Sequence, residues 1–187
     1  MAAGDKPSAT EQALQDARDS LDEGFFPLEF FHDENLHDLE MERIFGQAWV
    51  FIGHESEIPE PGDYARRYIG DDAFIFVRDE SGEVNLLFDS CRHRGAQVCR
   101  AEQGNTSHFR CPYHGWTYKN DGDAAGIPQK SKAFKNLDRE EYGLAHVPRL
   151  ETYEGLVFAS LAEEGPSFEE WLGDFKWYFD VHMKLPE

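Results

Sequence analysis

The sequence predicts a mostly β chain, an antiparallel sandwich or small barrel carrying two loops rich in metal-ligating side chains, flanked by N- and C-terminal helices. Three observations carry this expectation. From Gln47 to about residue 162, short apolar runs alternate with Gly-, Pro- and Asp-rich turns at hairpin spacing. Within that stretch two segments each pair a cysteine with a histidine and follow at once with glycine. At both ends, a Ser-x-x-Glu spacing opens a segment with apolar residues at helical intervals.

Taken in order, residues 1–24 read as a small polar, disordered tail and a short helix. Ser8-Ala9-Thr10-Glu11 has capping-box spacing, and Leu14, Ala17 and Leu21 recur on one face before Gly24. Residues 25–46 form a helical extension. Phe25-Phe26-Pro27-Leu28 reads as extended, because the residue before proline is disfavoured in the helical region. A second helix over Asn35 to Phe45 turns Leu36, Leu39, Ile44 and Phe45 inward. His32 and His37, beside Asp33 and Asp38, are five residues apart, so on one helix their rings leave different faces, which suits a solvated surface better than a metal site.

Residues 47–162 form the β domain. Strands are expected at Ala48 to Ile52, Tyr64 to Ile69, Ala73 to Val77, Val84 to Phe88, Leu144 to Val147 and Leu156 to Ser160. Phe109 leads into the second Cys/His loop, and Trp116-Thr117-Tyr118 leaves it before a turn at Asn120-Asp121-Gly122. In residues 163–187, Ser167-Phe168-Glu169-Glu170 caps a terminal helix with Trp171, Leu172, Phe175, Tyr178, Phe179 and His182 near one face. His182 reads there as a face residue rather than a ligand.

At 187 residues the chain has room for one substantial domain and part of a second. No apolar run approaches membrane-spanning length, and the N-terminus lacks the basic flank and apolar core of a signal peptide, so a cytoplasmic protein is expected. The formal net charge is −19, with 37 Asp and Glu against 18 Lys and Arg. That balance disfavours nucleic acid and anionic membranes as partners. It also suits concentrated salt, where screening shortens to about 3 Å at 1 M, as in a halophile cytoplasm. Three cysteines do not make a disulfide framework, and Cys99 reads as a small buried hydrophobe.

The chemistry lies between Cys91 and Trp116. Cys91-Arg92-His93-Arg94-Gly95 and Cys111-Pro112-Tyr113-His114-Gly115-Trp116 each offer one thiol and one imidazole. Two thiolates and two imidazoles suit zinc or iron, and spacing alone leaves both open. Zinc fingers usually keep their cysteines in one half and their histidines in the other, whereas here each half mixes the two. Gly95 and Gly115 let the backbone approach a cluster and aim N–H groups at it.

The two motifs resemble the Rieske motif of aromatic-ring-hydroxylating oxygenase α subunits. The resemblance runs from about Phe25 onward and takes in Ile44-Phe45 with Trp49, Pro61-Gly62-Asp63-Tyr64 and Val77-Arg78-Asp79. It implies the Rieske fold and a [2Fe-2S] cluster, with Cys91 and Cys111 as thiolate ligands to one iron and His93 and His114 as imidazole ligands to the other. Respiratory relatives carry a bridging cysteine in each loop and a sulfur-binding serine. Here Ala96, Tyr113 and Trp116 stand at those positions, implying a potential low in the range of about −150 to +300 mV. Asp89 departs from the asparagine common in the family and makes the hydrogen bonding of the first loop an open question.

In the family a second domain holds a mononuclear Fe(II) in a two-histidine, one-carboxylate triad, and no such cluster of residues is present here. Residues 163–187 resemble its beginning. The implied function is therefore single-electron relay from a ferredoxin or reductase toward that iron, in the same or a neighbouring α subunit of a homotrimer. A stand-alone Rieske ferredoxin-like carrier is the alternative. Arg92, Arg94, Arg100 and Arg110 flank the motifs and either receive an acidic donor or brace the loops against carboxylates.

Overall fold

A computed structural model describes residues 9–22, 24–26, 28–134 and 136–184. Ser8 and the polar tail lie outside them. The chain divides between Ile44 and Phe45 into two compact units.

In the first unit, α1 (Ala9–Asp22) buries Ala17. It closes where expected, with Gly24 N donating to Leu21 O and Phe25 N to Ser20 O, the paired bonds that satisfy a helix's last carbonyls. Leu21, expected inward, is 61% exposed. Of the segment expected to be extended, Phe25 and Phe26 are non-helical, Pro27 lies outside the described residues, and Leu28 instead opens a 3-10 turn, Leu28–Phe31, that gathers the rings of Phe26, Phe30 and Phe31. The second helix is α2 (Glu34–Glu40), capped by the Asp33 carboxylate, and it buries Leu36. It then widens into a π-turn at Met41–Phe45. The wider turn rotates the apolar stripe, so Ile44, expected inward at α-helical spacing, is 52% exposed.

The second unit holds ten strands among its described residues: β1 (Val50–His54), β2 (Asp63–Ile69), β3 (Asp72–Arg78), β4 (Val84–Phe88), β5 (Gln103–Asn105), β6 (His108–Arg110), β7 (Thr117–Lys119), β8 (Ala124–Gly126), β9 (Arg149–Tyr153) and β10 (Leu156–Ser160). They pair antiparallel into three sheets, ordered β1-β10-β9, β4-β3-β2-β5 and β6-β7-β8. The expected mostly β, antiparallel fold class is the observed one. Its central member is β3, whose Ala73-to-Val77 run is apolar throughout because both of its faces are covered. Phe74 and Phe76 point into a core with Ile52, Ile58, Ile69, Leu86 and Val157. Ile75 and Val77 point the other way, into a core with Leu87, Phe109, Trp116 and Tyr118 that also contains Cys91, Cys99 and Cys111. Period-two alternation on one strand thus builds two cores, and the second carries the site.

Two short strands and one longer one are not foreseen from the sequence. β5 and β8 are three residues each, and β9 is joined to β10 by a two-residue turn. That turn, Glu154-Gly155, has φ 49° and 81°, matching the right-handed twist of the hairpin. The strand expected at Leu144 to Val147 is reduced to a single bridge between Leu87 and His146. Leu144 N is drawn instead to Gly122 O and His146 Nε2 meets Asp121 O, so the segment ties the β7–β8 turn to β4.

The terminal segment opens with the expected capping box, Ser167 and Glu170 exchanging side-chain and backbone bonds. It does not continue as one helix. Following α3 (Lys130–Ala133), a short helix between β8 and β9, α4 (Phe168–Leu172) stops at Gly173, a 3-10 turn follows, and α5 (Lys176–Met183) resumes. Phe168 and Leu172 therefore bury beside Trp49 and Phe158, while Trp171, Phe175 and Tyr178 are 44%, 58% and 53% exposed. α5 is tied to β9 by Lys176 Nζ, 2.7 Å from Tyr153 Oη and 3.0 Å from Asp180.

Candidate functional site

Both Cys/His segments fold into the same backbone turn. In the first, Gly95 N donates to Cys91 O (2.8 Å) and Cys91 N to Ala96 O (2.9 Å). In the second, Gly115 N donates to Cys111 O (3.0 Å) and Cys111 N to Trp116 O (2.8 Å). Each turn closes through a glycine in the left-handed region, Gly95 at φ 70° and Gly115 at φ 74°. The two loops are thus structural equivalents, one leaving β4 and the other spanning β6 and β7. Among the donors they differ in where the imidazole sits: two residues after the cysteine in the first loop, three in the second.

The equivalence sorts the donors by element. Cys91 and Cys111 are buried, at 3% and 2% exposure, and unbridged. Burial pushes the Cys91 thiol up, the Tyr118 hydroxyl and a backbone N–H at His93 oppose this, and the adjacent Cys111 thiol raises it again. The two rings form the other pair, His93 and His114 lying 4.7 Å apart between centroids at 76°. Burial holds the His93 imidazole below its ordinary value, and the His114 and Arg94 charges act in the same direction. Its Nδ1 is buried without a hydrogen-bond partner among the described residues. No three His, Cys, Asp or Glu side chains among the described residues converge as a single metal ion requires. Sulfur thus sits with sulfur and nitrogen with nitrogen.

That arrangement fits a [2Fe-2S] group and not a tetrahedral zinc. A two-iron cluster asks each iron to take only two protein donors, whereas zinc collects four around one point. The orphaned His93 nitrogen is a lone pair available for a metal, since an unpartnered buried polar atom is otherwise costly.

Side chains around the donors supply what the sequence left open. The Tyr118 hydroxyl, fully buried, lies 3.1 Å from Cys91 Sγ and accepts from Arg92 N at 3.1 Å. Accepting from Arg92 N leaves the hydroxyl proton free to be donated to the sulfur of a Cys91 thiolate, which has none of its own to give. Burial, together with the Cys91 sulfur, pushes the Tyr118 phenol far up, so it stays a donor. Asp89 settles the first loop's hydrogen bonding. Its Oδ1 accepts from Val98 N and Cys99 N, both at 2.8 Å, and its Oδ2 from Gln97 at 3.1 Å, with Arg66 Nε at 3.8 Å. Cys99 is buried at 5%, in the role expected of it. None of these contacts is readable from spacing, although Tyr118 stands four residues after His114 on β7.

Among the described residues, the flanking arginines do not brace the loops through carboxylates. Among the described residues, no carboxylate forms an ion pair with Arg92, Arg94, Arg100 or Arg110, and all four are exposed. Arg94 lies 5.8 Å over the Tyr113 ring instead. Carboxylate pairing falls to Arg66, Arg67 and Arg78 on β2 and β3.

Comparison with known proteins agrees with the geometry. The chain is 46% identical over 182 residues to the N,N-dimethyl phenylurea N-demethylase subunit alpha of Sphingobium sp. (strain YBL2), covering 94% of this chain and 40% of that protein. It is 39% identical over 181 residues to the biphenyl 2,3-dioxygenase subunit alpha of Rhodococcus jostii (strain RHA1), covering 97% and 39%. The crystal structure of naphthalene 1,2-dioxygenase from Rhodococcus sp. bound to indole superposes with a TM-score of 0.85 at 50% identity, over 94% of this chain and 40% of that one. The chain thus spans about 40% of the length of the relatives it matches. The family model for the Rieske [2Fe-2S] domain matches residues 48–154, a span holding both loops and nine of the ten strands in full, and the chain is a member of that family.

Proposed function

We propose that Cys91 and Cys111 hold one iron and His93 and His114 the other of a Rieske [2Fe-2S] cluster, and that the chain is the electron-transfer portion of an aromatic-ring-hydroxylating oxygenase α subunit. The observation carrying this reading is the segregation of the four donors into a buried thiol pair and an imidazole pair. When bound, the cluster accepts and releases one electron at a time. The protein's part is to keep the thiols dry, donate to sulfur through Tyr118, fix the first loop through Asp89, and present the His114 side to solvent. Residues 47–162 form the cluster domain in this reading, with 25–46 a helical extension and 163–187 leading toward a catalytic domain. The mononuclear iron and substrate pocket then belong to the part of the relatives that this chain does not span.

The donor surface follows from charge. Four arginines beside the loops, none ion-paired among the described residues, on a chain of net charge −19, make a local cationic face that suits an acidic ferredoxin or reductase in the cytoplasm. Anaerobic reconstitution with iron and sulfide, followed by EPR of the dithionite-reduced chain, tests the cluster. A rhombic signal absent from the oxidised sample is expected, and a colourless, zinc-loaded chain refutes the reading. Loss of reduction by ferredoxin in Arg92→Gln and Arg94→Gln, steeper at low salt, is the expected mark of the donor face. Salt-independent, unchanged reduction removes it.

A further inference from the structure

The two equivalent turns launch their imidazoles from different positions, and only one of the rings is walled in. His93 leaves its turn one residue earlier than His114, so the shared backbone bonds do not fix both rings alike. Trp116, at the exit of the other loop, lies stacked on His93 at 5.0 Å and 8°. Trp116 is itself 2% exposed and held from two sides. Phe134 meets it edge-on at 5.9 Å and 90°, and Tyr142 at 5.9 Å and 70°. Phe134 also presents its edge to His93, at 5.9 Å and 87°. Both come from the segment between β8 and β9, which the family resemblance did not single out. His114 has no such enclosure: it is exposed, and its ring neighbours are Tyr113, beside it in sequence, and His93.

We propose that Phe134 and Tyr142 are positioning residues that clamp Trp116 against His93, fixing the plane of that imidazole so that its orphaned Nδ1 faces the donor set. The proposal rests on the four-ligand reading and adds to it a wall, built across the two loops, for one of the two nitrogens. An imidazole free to turn about two side-chain torsions samples several staggered positions, only some of which aim the nitrogen at a metal. A parallel indole on one face and a phenyl edge beside it leave one, and edge-to-face aromatic pairs favour that geometry beyond simple burial. The same wall keeps water from Nδ1, which is buried without a hydrogen-bond partner among the described residues.

The full chain, reconstituted with iron and sulfide, tests this in four forms: wild type, Phe134→Ala, Phe134→Leu and Phe179→Ala. Phe179 is the control, an aromatic packed in the separate core under α4 and α5. Nitrogen hyperfine couplings from pulsed EPR report the two imidazoles, and the half-life of the visible absorbance under a chelator reports how firmly they are held. Phe134→Ala is expected to broaden or shift one of the two couplings and shorten the half-life about three- to tenfold. Phe134→Leu restores most of both, and Phe179→Ala lowers Tm without moving either. Couplings and half-life unchanged in Phe134→Ala overturn the clamp while leaving the ligands intact. A wild-type chain with no nitrogen coupling overturns the ligand reading, and the clamp with it.

Discussion

Replacing Tyr118 with phenylalanine isolates one hydrogen bond to the sulfur side of the site. The hydroxyl lies 3.1 Å from Cys91 Sγ, on a side chain with no solvent exposure, so no water replaces it without rearrangement. One-electron reduction makes the cluster as a whole more negative, and a hydrogen bond to the more negative state is the stronger one. Hydrogen bonds to charged groups contribute about 1.5–3 kcal/mol and neutral ones about 1, so the difference between the two redox states is on the order of 1 kcal/mol. With 59 mV per tenfold for a one-electron couple, Tyr118→Phe should lower the midpoint potential by roughly 40 mV. The lost acceptor also strands Arg92 N, which should lower stability by about 1–3 kcal/mol without unfolding the chain. Parallel redox titrations of wild type and variant, read by visible absorbance or EPR, measure the shift. A midpoint that stays put or rises refutes the argument that this hydroxyl donates to sulfur.

Other outcomes follow from the same contacts. Asp89→Ala strands the buried N–H groups of Val98 and Cys99 and should lower the urea-unfolding free energy by about 2–4 kcal/mol, whereas Asp89→Asn keeps an oxygen for both and should cost less than half of that. Equal losses would show that charge, not acceptance, braces the loop. Asp79 is opposed by burial, but hydrogen bonds from Ser81, Asn85 and the backbone of Glu83 outweigh it and hold the carboxyl below its ordinary range. Its stabilisation is therefore complete above about pH 4 and lost as pH falls through the folded value, so Asp79→Asn should flatten the acid limb of Tm against pH. An acid limb as steep as that of wild type assigns the dependence elsewhere. With a net charge of −19, the urea midpoint should rise markedly between low and molar KCl, and a flat response removes the salt-adaptation reading.

The four proposed donors stand out in the sequence because their residue types are chemically distinctive and each is followed closely by glycine. The hairpin frame was legible where strands are long enough to show apolar runs, as at Val84 to Phe88 and Leu156 to Ser160, both found as expected. β5 and β8 were not, since three-residue strands such as Gln103–Asn105 carry no pattern and exist because a neighbour offers backbone partners. Ile44 and Phe175 faced outward for a different reason, a π-turn and a helix stop at Gly173 that change the phase of an otherwise regular stripe. Around the site, Asp89 stood out in sequence only as a departure. Its work becomes visible once the loop brings Val98 and Cys99 back to it. Tyr118 and Trp116 are chain neighbours of His114, yet they act on Cys91 and His93 of the other loop, a pairing that only the folded hairpins create.

Unequal ligation of two irons is the central claim, and Mössbauer spectroscopy of the ⁵⁷Fe-reconstituted chain tests it most directly. Two inequivalent iron sites of equal intensity are predicted, one in an all-sulfur and one in a mixed sulfur–nitrogen environment, with reduction localised on the second. A single iron environment, or a chain that binds one zinc and no iron, would contradict it.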